Sequence, residues 1–254
     1  MLKNARFLLL FSFCLLFSCA SSDSFVNYRT PEGQLPTNYF SEKPSIYYQS
    51  DDQISIKIFN NEKFIDLFLE TNSPATLRKI YNLGLSIWFD PDGKSKNIFA
   101  VNYPLPTDRP FTRNQFKFYL NKFTRIEFQE ELNDRFKHFE IIDTRLNERL
   151  NLTNLDNNEG YIINLMTSHQ ILFSYHLHFP IKNIFPKSVS DKTIFSIGIA
   201  SINEANEEYY SALSSKEVIR RKMGKLKAGS NQNPFELDEW WVNFQLAGSP
   251  QKFK

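Results

Sequence analysis

One stretch, from Phe64 to Pro104, constrains the fold more than any other, because its hydrophobic period changes repeatedly over a short distance. It reads FIDLFLE, TNSPATLRKIYNLG, LSIWFD, PDGK and then NIFAVNYP. In FIDLFLE, Ile65, Leu67 and Leu69 fall on one face and Phe64, Asp66 and Phe68 on the other, which is the period of a strand. Ser73 then offers an N-cap, Pro74 fits the first helical turn and Gly84 stands past the end. Leu77, Ile80 and Tyr81 supply the apolar stripe of that short helix. Leu85 to Phe89 reads as a strand, Asp90-Pro91-Asp92-Gly93 as a turn, and Ile98 to Tyr103 as its return. A strand, a capped helix and a hairpin packed this closely call for a layered fold built on sheets.

The flanking sequence continues the strand rhythm. Ile54, Ile56 and Ile58 alternate with Ser55 and Lys57, and the Asn60-Asn61 turn makes 54–70 a hairpin. Thr112 to about Phe136 breaks the rhythm and reads as one or two helices, followed by a short strand at 137–143 and a polar loop at 151–159. Tyr161–Met166 and Ile171–Phe179 form a second expected hairpin. Thr193 to Ile202 reads as a buried strand in which Gly198 marks a bulge or a close approach. A short helix is expected at 215–223. A last strand near 240–246 turns Trp240, Val242, Phe244 and Leu246 to one side and Trp241 to the other. With 41% hydrophobic residues, 25 Phe and 11 Tyr, the chain can fill a sizeable core. The expected class is a mainly-β antiparallel sandwich with helical insertions around 74–83, 112–136 and 215–223. Its strands at 64–104 are expected to pair with those at 171–179 and 239–246.

The N-terminus has a different character. Lys3 and Arg6 precede an apolar run, Phe7 to Phe17, too short to span a bilayer and suited to a signal segment. Leu16-Phe17-Ser18-Cys19 resembles the lipobox of bacterial lipoproteins. That resemblance implies removal of 1–18 as a signal peptide and lipidation of Cys19, with palmitate-type acyl chains holding the protein to a bacterial membrane. An ordinary secretory signal cleaved nearby and an uncleaved anchor are the alternatives. Ala20 rather than Asp follows the cysteine, so nothing argues for inner-membrane retention under the lipoprotein sorting rule of enterobacteria, and the outer membrane is the expected location. Residues 19–50 are expected to be the lipidated cysteine and a flexible tether, with Ile46-Tyr47-Tyr48 as a first short strand and a docked arm at 39–50 as the other reading. Residues 51–254 form the single domain.

Charge and cysteine content narrow the function classes. The chain has 30 Lys and Arg; without Lys3 and Arg6 these fall to 28, against 28 Asp and Glu. Balanced charge gives no electrostatic case for nucleic acid as a partner. Both cysteines, Cys14 and Cys19, precede the folded body, leaving it no thiol nucleophile, disulfide or Cys-ligated metal.

The order of hairpin, S-P-A-T helix, G-L-x-I-W-F-D-P-x-G-K and a strand ending in Y-P resembles a group of uncharacterised Bacteroidota lipoproteins. Their architecture is similar to DOMON and family-9 carbohydrate-binding β-sandwiches. Leu172 to Ile181 and Ile194 to Ile199, with a terminal Trp-rich strand, fit the same pattern. The resemblance implies a sandwich whose relatives bind haem or sugars. It assigns no ligand residue here, and no Met/His haem pair and no other cofactor is expected.

Chemistry-bearing residues are sparse. His176 and His178 share one face of a strand and are weak metal candidates, with no carboxylate nearby in sequence to complete a site. Asp90-Pro91-Asp92-Gly93 lacks the alternating oxygen ligands of a calcium loop and reads as a turn. Lys216, Arg220, Arg221, Lys222, Lys225 and Lys227 form a basic cluster that fits either a solvated helix or anionic lipid headgroups. Trp88, between Ile87 and Phe89, is expected in the core, whereas Trp241 is the ligand-binding candidate by strand parity. No G-x-S-x-G, H-E-x-x-H or P-loop occurs, so no catalytic residue is assigned. Asp51-Asp52, Glu130-Glu131 and Glu207-Glu208 read as surface charge. The expectation is a non-catalytic binding or accessory module of the bacterial envelope, with carbohydrate or an envelope protein as partner. The alternatives are an assembly component acting through protein contacts and, third, a hydrolase with a dispersed carboxylate site.

Overall fold

The computed structural model describes residues 24–30, 39–106, 111, 114, 125–153, 159–167, 173–186, 190, 192–202 and 237–248. Thirteen strands among these residues make two mixed sheets. The first contains β1 (Ser24–Val26), β6 (Ser86–Asp90), β7 (Phe99–Asn102), β8 (His138–Asp143), β9 (Glu148–Thr153), β12 (Ile194–Ala200) and β13 (Trp240–Gln245). Their order is β1-β13-β12-β6-β7-β8-β9. The second contains β2 (Tyr28–Arg29), β3 (Tyr47–Gln49), β4 (Ile54–Asn60), β5 (Phe64–Thr71), β10 (Ile162–Met166) and β11 (Phe173–Pro180). Its order is β10-β11-β5-β4-β2, with β3 also on β4. Every pairing is antiparallel except β1 with β13 and β2 with β4. This is the expected mainly-β sandwich with helical insertions.

Strand alternation builds the core. Ile56, Ile58, Leu67, Leu69, Tyr175 and Phe179 face inward from the second sheet. Ile87, Phe89, Phe139, Phe195, Ile197 and Phe244 come from the first, and all belong to one buried cluster. Interior positions of this kind each contribute about 1.5–3 kcal/mol by leaving water. The Phe64–Pro104 stretch bridges the layers, since β5 lies in the second sheet and β6 and β7 in the first. Between them runs helix α2 (Pro74–Leu83), capped by the Ser73 hydroxyl, which accepts from Thr76 N–H, and closed by Gly84 N–H donating to Ile80 O. Gly84 has φ of +75°, and a Cβ there would meet Ile202 at 2.6 Å and Pro104 O at 2.7 Å. Only glycine fits both the positive φ of this cap and that approach.

The N-terminal segment corrects the expected tether. Residues 24–30 and 39–49 are built into the sandwich. β1 extends the first sheet, Asn27 N–H donates to Gln245 O, and β2 then joins the second sheet. Phe25 packs on Tyr47 and Phe244, between the layers. Helix α1 (Tyr39–Glu42) and β3 follow, so the docked arm at 39–50 is the better reading, and Tyr47–Gln49 is the short strand expected there. Backbone groups along β13 and β4 recruit this segment because an unpaired edge leaves donors and acceptors unsatisfied.

Two further expectations change. The last strand pairs with β12 and β1, not with any strand of 64–104, although β11 does pair with β5. Part of the supposed polar loop is β9, an edge strand in which only Leu150 and Leu152 alternate with polar residues. Helix α3 (Arg125–Arg135) occupies the end of the 112–136 region. A one-turn helix, α4 (Ile181–Ile184), follows β11. Arg145, in the β8–β9 turn, donates to the carbonyls of Asn183 and Ile184 and so ties α4 to the first sheet's hairpin. The helix expected at 215–223 lies outside the described residues.

Candidate functional site

Two outward faces carry the chemistry-bearing side chains. On the first sheet, Trp88, Gly198 and Trp241 stand in one row across β6, β12 and β13. Their strand neighbours Ile87, Phe89, Ile197, Ile199 and Val242 are buried inside, so this row faces outward. Trp88 is therefore half-buried on the outer face, not in the core, because it alternates with Ile87 and Phe89. A Cβ on Gly198 would lie 2.6–2.8 Å from Cε2, Cζ2 and Cδ2 of Trp241. The indole of Trp241 thus lies across the glycine, which is the close approach expected at Gly198. Trp241 Nε1 donates to Glu239 Oε1 at 2.9 Å, which fixes the ring's orientation. One step along the strands, Ser196 Oγ donates to Asn243 Oδ1 at 2.5 Å. Trp88, Trp241 and Asn243 are partly exposed on this face, whereas Ser196 and Gly198 are buried beneath their neighbours. An aromatic face carries negative quadrupole density that suits the C–H-rich face of a sugar ring, while neighbouring polar groups suit its hydroxyls.

The outer face of the second sheet holds an ionic node. Asp66 Oδ1 accepts from His176 Nε2 at 2.8 Å and from His178 Nδ1 at 2.9 Å. His176 stacks on Phe68 with ring centroids 4.2 Å apart and planes 5° apart, and His178 stacks on Phe64 at 4.6 Å. Phe40 of α1 packs on Phe59 and Phe68. Burial pushes the Asp66 carboxyl up, but the two imidazole hydrogen bonds outweigh it and hold the group below the usual carboxylate range. The sequence leaves the histidines without a carboxylate; the sheet supplies one from the neighbouring strand. One ring nitrogen of each is thereby committed to Asp66. Among the described residues no group of three or more His, Cys, Asp or Glu is placed to hold a metal ion.

The other carboxylates have separate partners. Asp90, buried, accepts the backbone N–H groups of Asp92, Lys94 and Lys96, which makes Asp90-Pro91-Asp92-Gly93 a turn. Asp52 pairs with Lys79 at 2.9 Å, and burial raises its carboxyl despite that partner. Glu140 binds Asn102 and Arg149, and Glu131 binds Arg135. Cys19, Glu207, Glu208 and the basic cluster from Lys216 to Lys227 lie outside the described residues. Sequence reasoning missed Asp66. Its signal was an aspartate at the centre of an apolar strand, on the same face as Phe64 and Phe68.

Fold and outer faces together define a β-sandwich with an aromatic surface on one sheet. No family model matches the chain. No curated protein matches it. Among solved structures, the chain is similar to a family-9 carbohydrate-binding module from Caldicellulosiruptor kristjanssonii in complex with glucose. The identity is 11% and the TM-score 0.35, over 90% of this chain and 97% of that one. Among the described residues no helix is long and apolar enough to cross a membrane.

Proposed function

We propose that this chain is a non-catalytic binding module of the bacterial envelope, lipid-anchored to the outer membrane through Cys19, that holds carbohydrate on the Trp88–Trp241 face. The observation that carries the binding reading is the Trp241 indole laid across Gly198 on an outward sheet face, next to Trp88, Asn243 and Glu239. A flat aromatic surface fixed by its own hydrogen bond needs little reordering to receive a ligand. The anchor reading is carried by the lipobox-like Leu16-Phe17-Ser18-Cys19.

A glycan array with the soluble chain from residue 20 tests the binding reading. Glycan binding that falls at least tenfold in Trp241→Ala is expected. No glycan bound by the wild-type chain overturns it. A second reading, an assembly component, draws on Ile162 and Met166, which are 51% and 45% exposed on the edge strand β10. Co-purification of one envelope protein from native membranes, lost in an Ile162→Ser/Met166→Ser variant, would favour it.

A further inference from the structure

We infer that the sugar taken by the Trp88–Trp241 face is the headgroup of a glycolipid in the same membrane that holds Cys19. The inference rests on the anchor and carbohydrate readings above and adds the source of the ligand. β1 begins at Ser24, directly opposite Asn243, and Asn243 is two residues from Trp241 on β13. Only Ala20 to Asp23 separate Cys19 from Ser24. A chain gains at most about 3.6 Å per residue, so Cys19 lies within about 18 Å of Ser24 whatever path the link takes. Adjacent strands are about 4.8 Å apart and a strand rises about 3.4 Å per residue. The backbone of Trp241 is therefore within about 26 Å of the anchor.

That reach is short beside the body it holds. A domain of this length is roughly 45 Å across. A tether shorter than the domain cannot let it roll freely, so the end of the sandwich where β1 begins stays against the bilayer. Headgroups occupy roughly 5–8 Å per leaflet beyond the hydrocarbon. Indole rings also favour that interfacial depth, where one side is apolar and the other wet. A glycolipid diffusing in the same leaflet meets the face at high local concentration, and a weak sugar contact then suffices. A free polysaccharide has no such advantage.

The test uses full-length lipidated protein in vesicles made from the native membrane's lipid extract, before and after its glycolipid fraction is removed. Tryptophan emission, compared with Trp241→Ala, reads engagement of the face. A shift seen only with glycolipid present, and absent in Trp241→Ala, is expected. Inserting twenty Gly/Ser residues after Ala20 should weaken it about tenfold, because effective concentration falls roughly as the −3/2 power of linker length. An equal shift in glycolipid-free vesicles overturns the inference, as does a response that the insertion leaves unchanged. No shift on the native extract, from a protein that does bind array glycans, overturns it while leaving the carbohydrate reading intact. No binding in either assay removes both.

Discussion

Single residues set the character of each face. Gly198 allows the Trp241 ring to lie down, and a side chain there must push it off. Gly198→Val should cost about 1–3 kcal/mol by overpacking and weaken glycan binding together, read by urea unfolding and the array. A Gly198→Val protein that keeps full affinity would show that the ring's position does not matter. Asp66 makes a different prediction. Its folded-state carboxyl is depressed, so its contribution is present above the unfolded value near 3.9 and is lost as pH falls through the folded value. Stability should therefore drop on acidification below about pH 4. Asp66→Asn should flatten that slope and cost about 1.5–3 kcal/mol at neutral pH, because two imidazole donors lose a charged acceptor. Thermal unfolding from pH 3 to 7 compares the two proteins.

At the scale of elements, the N-terminal strands are the least expected part of the fold. Strands β1 and β2 join different sheets within seven residues, Ser24 to Thr30. The Asn60 side chain completes the closure by bonding both the N–H and the carbonyl of Ala247. A chain cut at residue 40 exposes the edge of β13 and part of β4 together with the apolar side of Phe244. It should unfold at lower urea and aggregate, whereas a chain beginning at residue 20 should not. Phe25→Ala alone should cost about 2–3 kcal/mol, somewhat less than a fully buried phenylalanine. Equal stability of the two truncations would show the strap to be ornamental.

For the molecule as a whole, the proposed anchor at Cys19 is separated from β1 by four residues, Ala20 to Asp23. Cys19→Ser should move the protein from the membrane fraction to the soluble fraction without changing its unfolding midpoint, read by fractionation and melting of the released chain. Retention of the variant on membranes would remove the lipid-anchor reading. The described sheets offer two unlike outer surfaces, aromatic on the first and ionic–aromatic on the second. Binding assays with Trp241 and Asp66 variants side by side separate their roles.

Much of this architecture is legible in the residues themselves. Period-two alternation marks β4, β5, β11, β12 and β13, and Ser73, Pro74 and Gly84 bracket α2, because side-chain direction and capping are local properties. The inward and outward placement of Trp240 and Trp241 follows from the same parity. Edge strands escape that reading. In β9 only Leu150 and Leu152 mark the alternation, and β1 and β2 take their form from partners far along the chain. Pairing across distant segments is likewise invisible to any local pattern. Only the assembled sheets bring Asp66 to His176 and His178, and Gly198 between Trp88 and Trp241. Sequence determined which residues alternate, turn and cap; the tertiary structure decided which of them meet, since strand neighbours are chosen by the packing of the whole core.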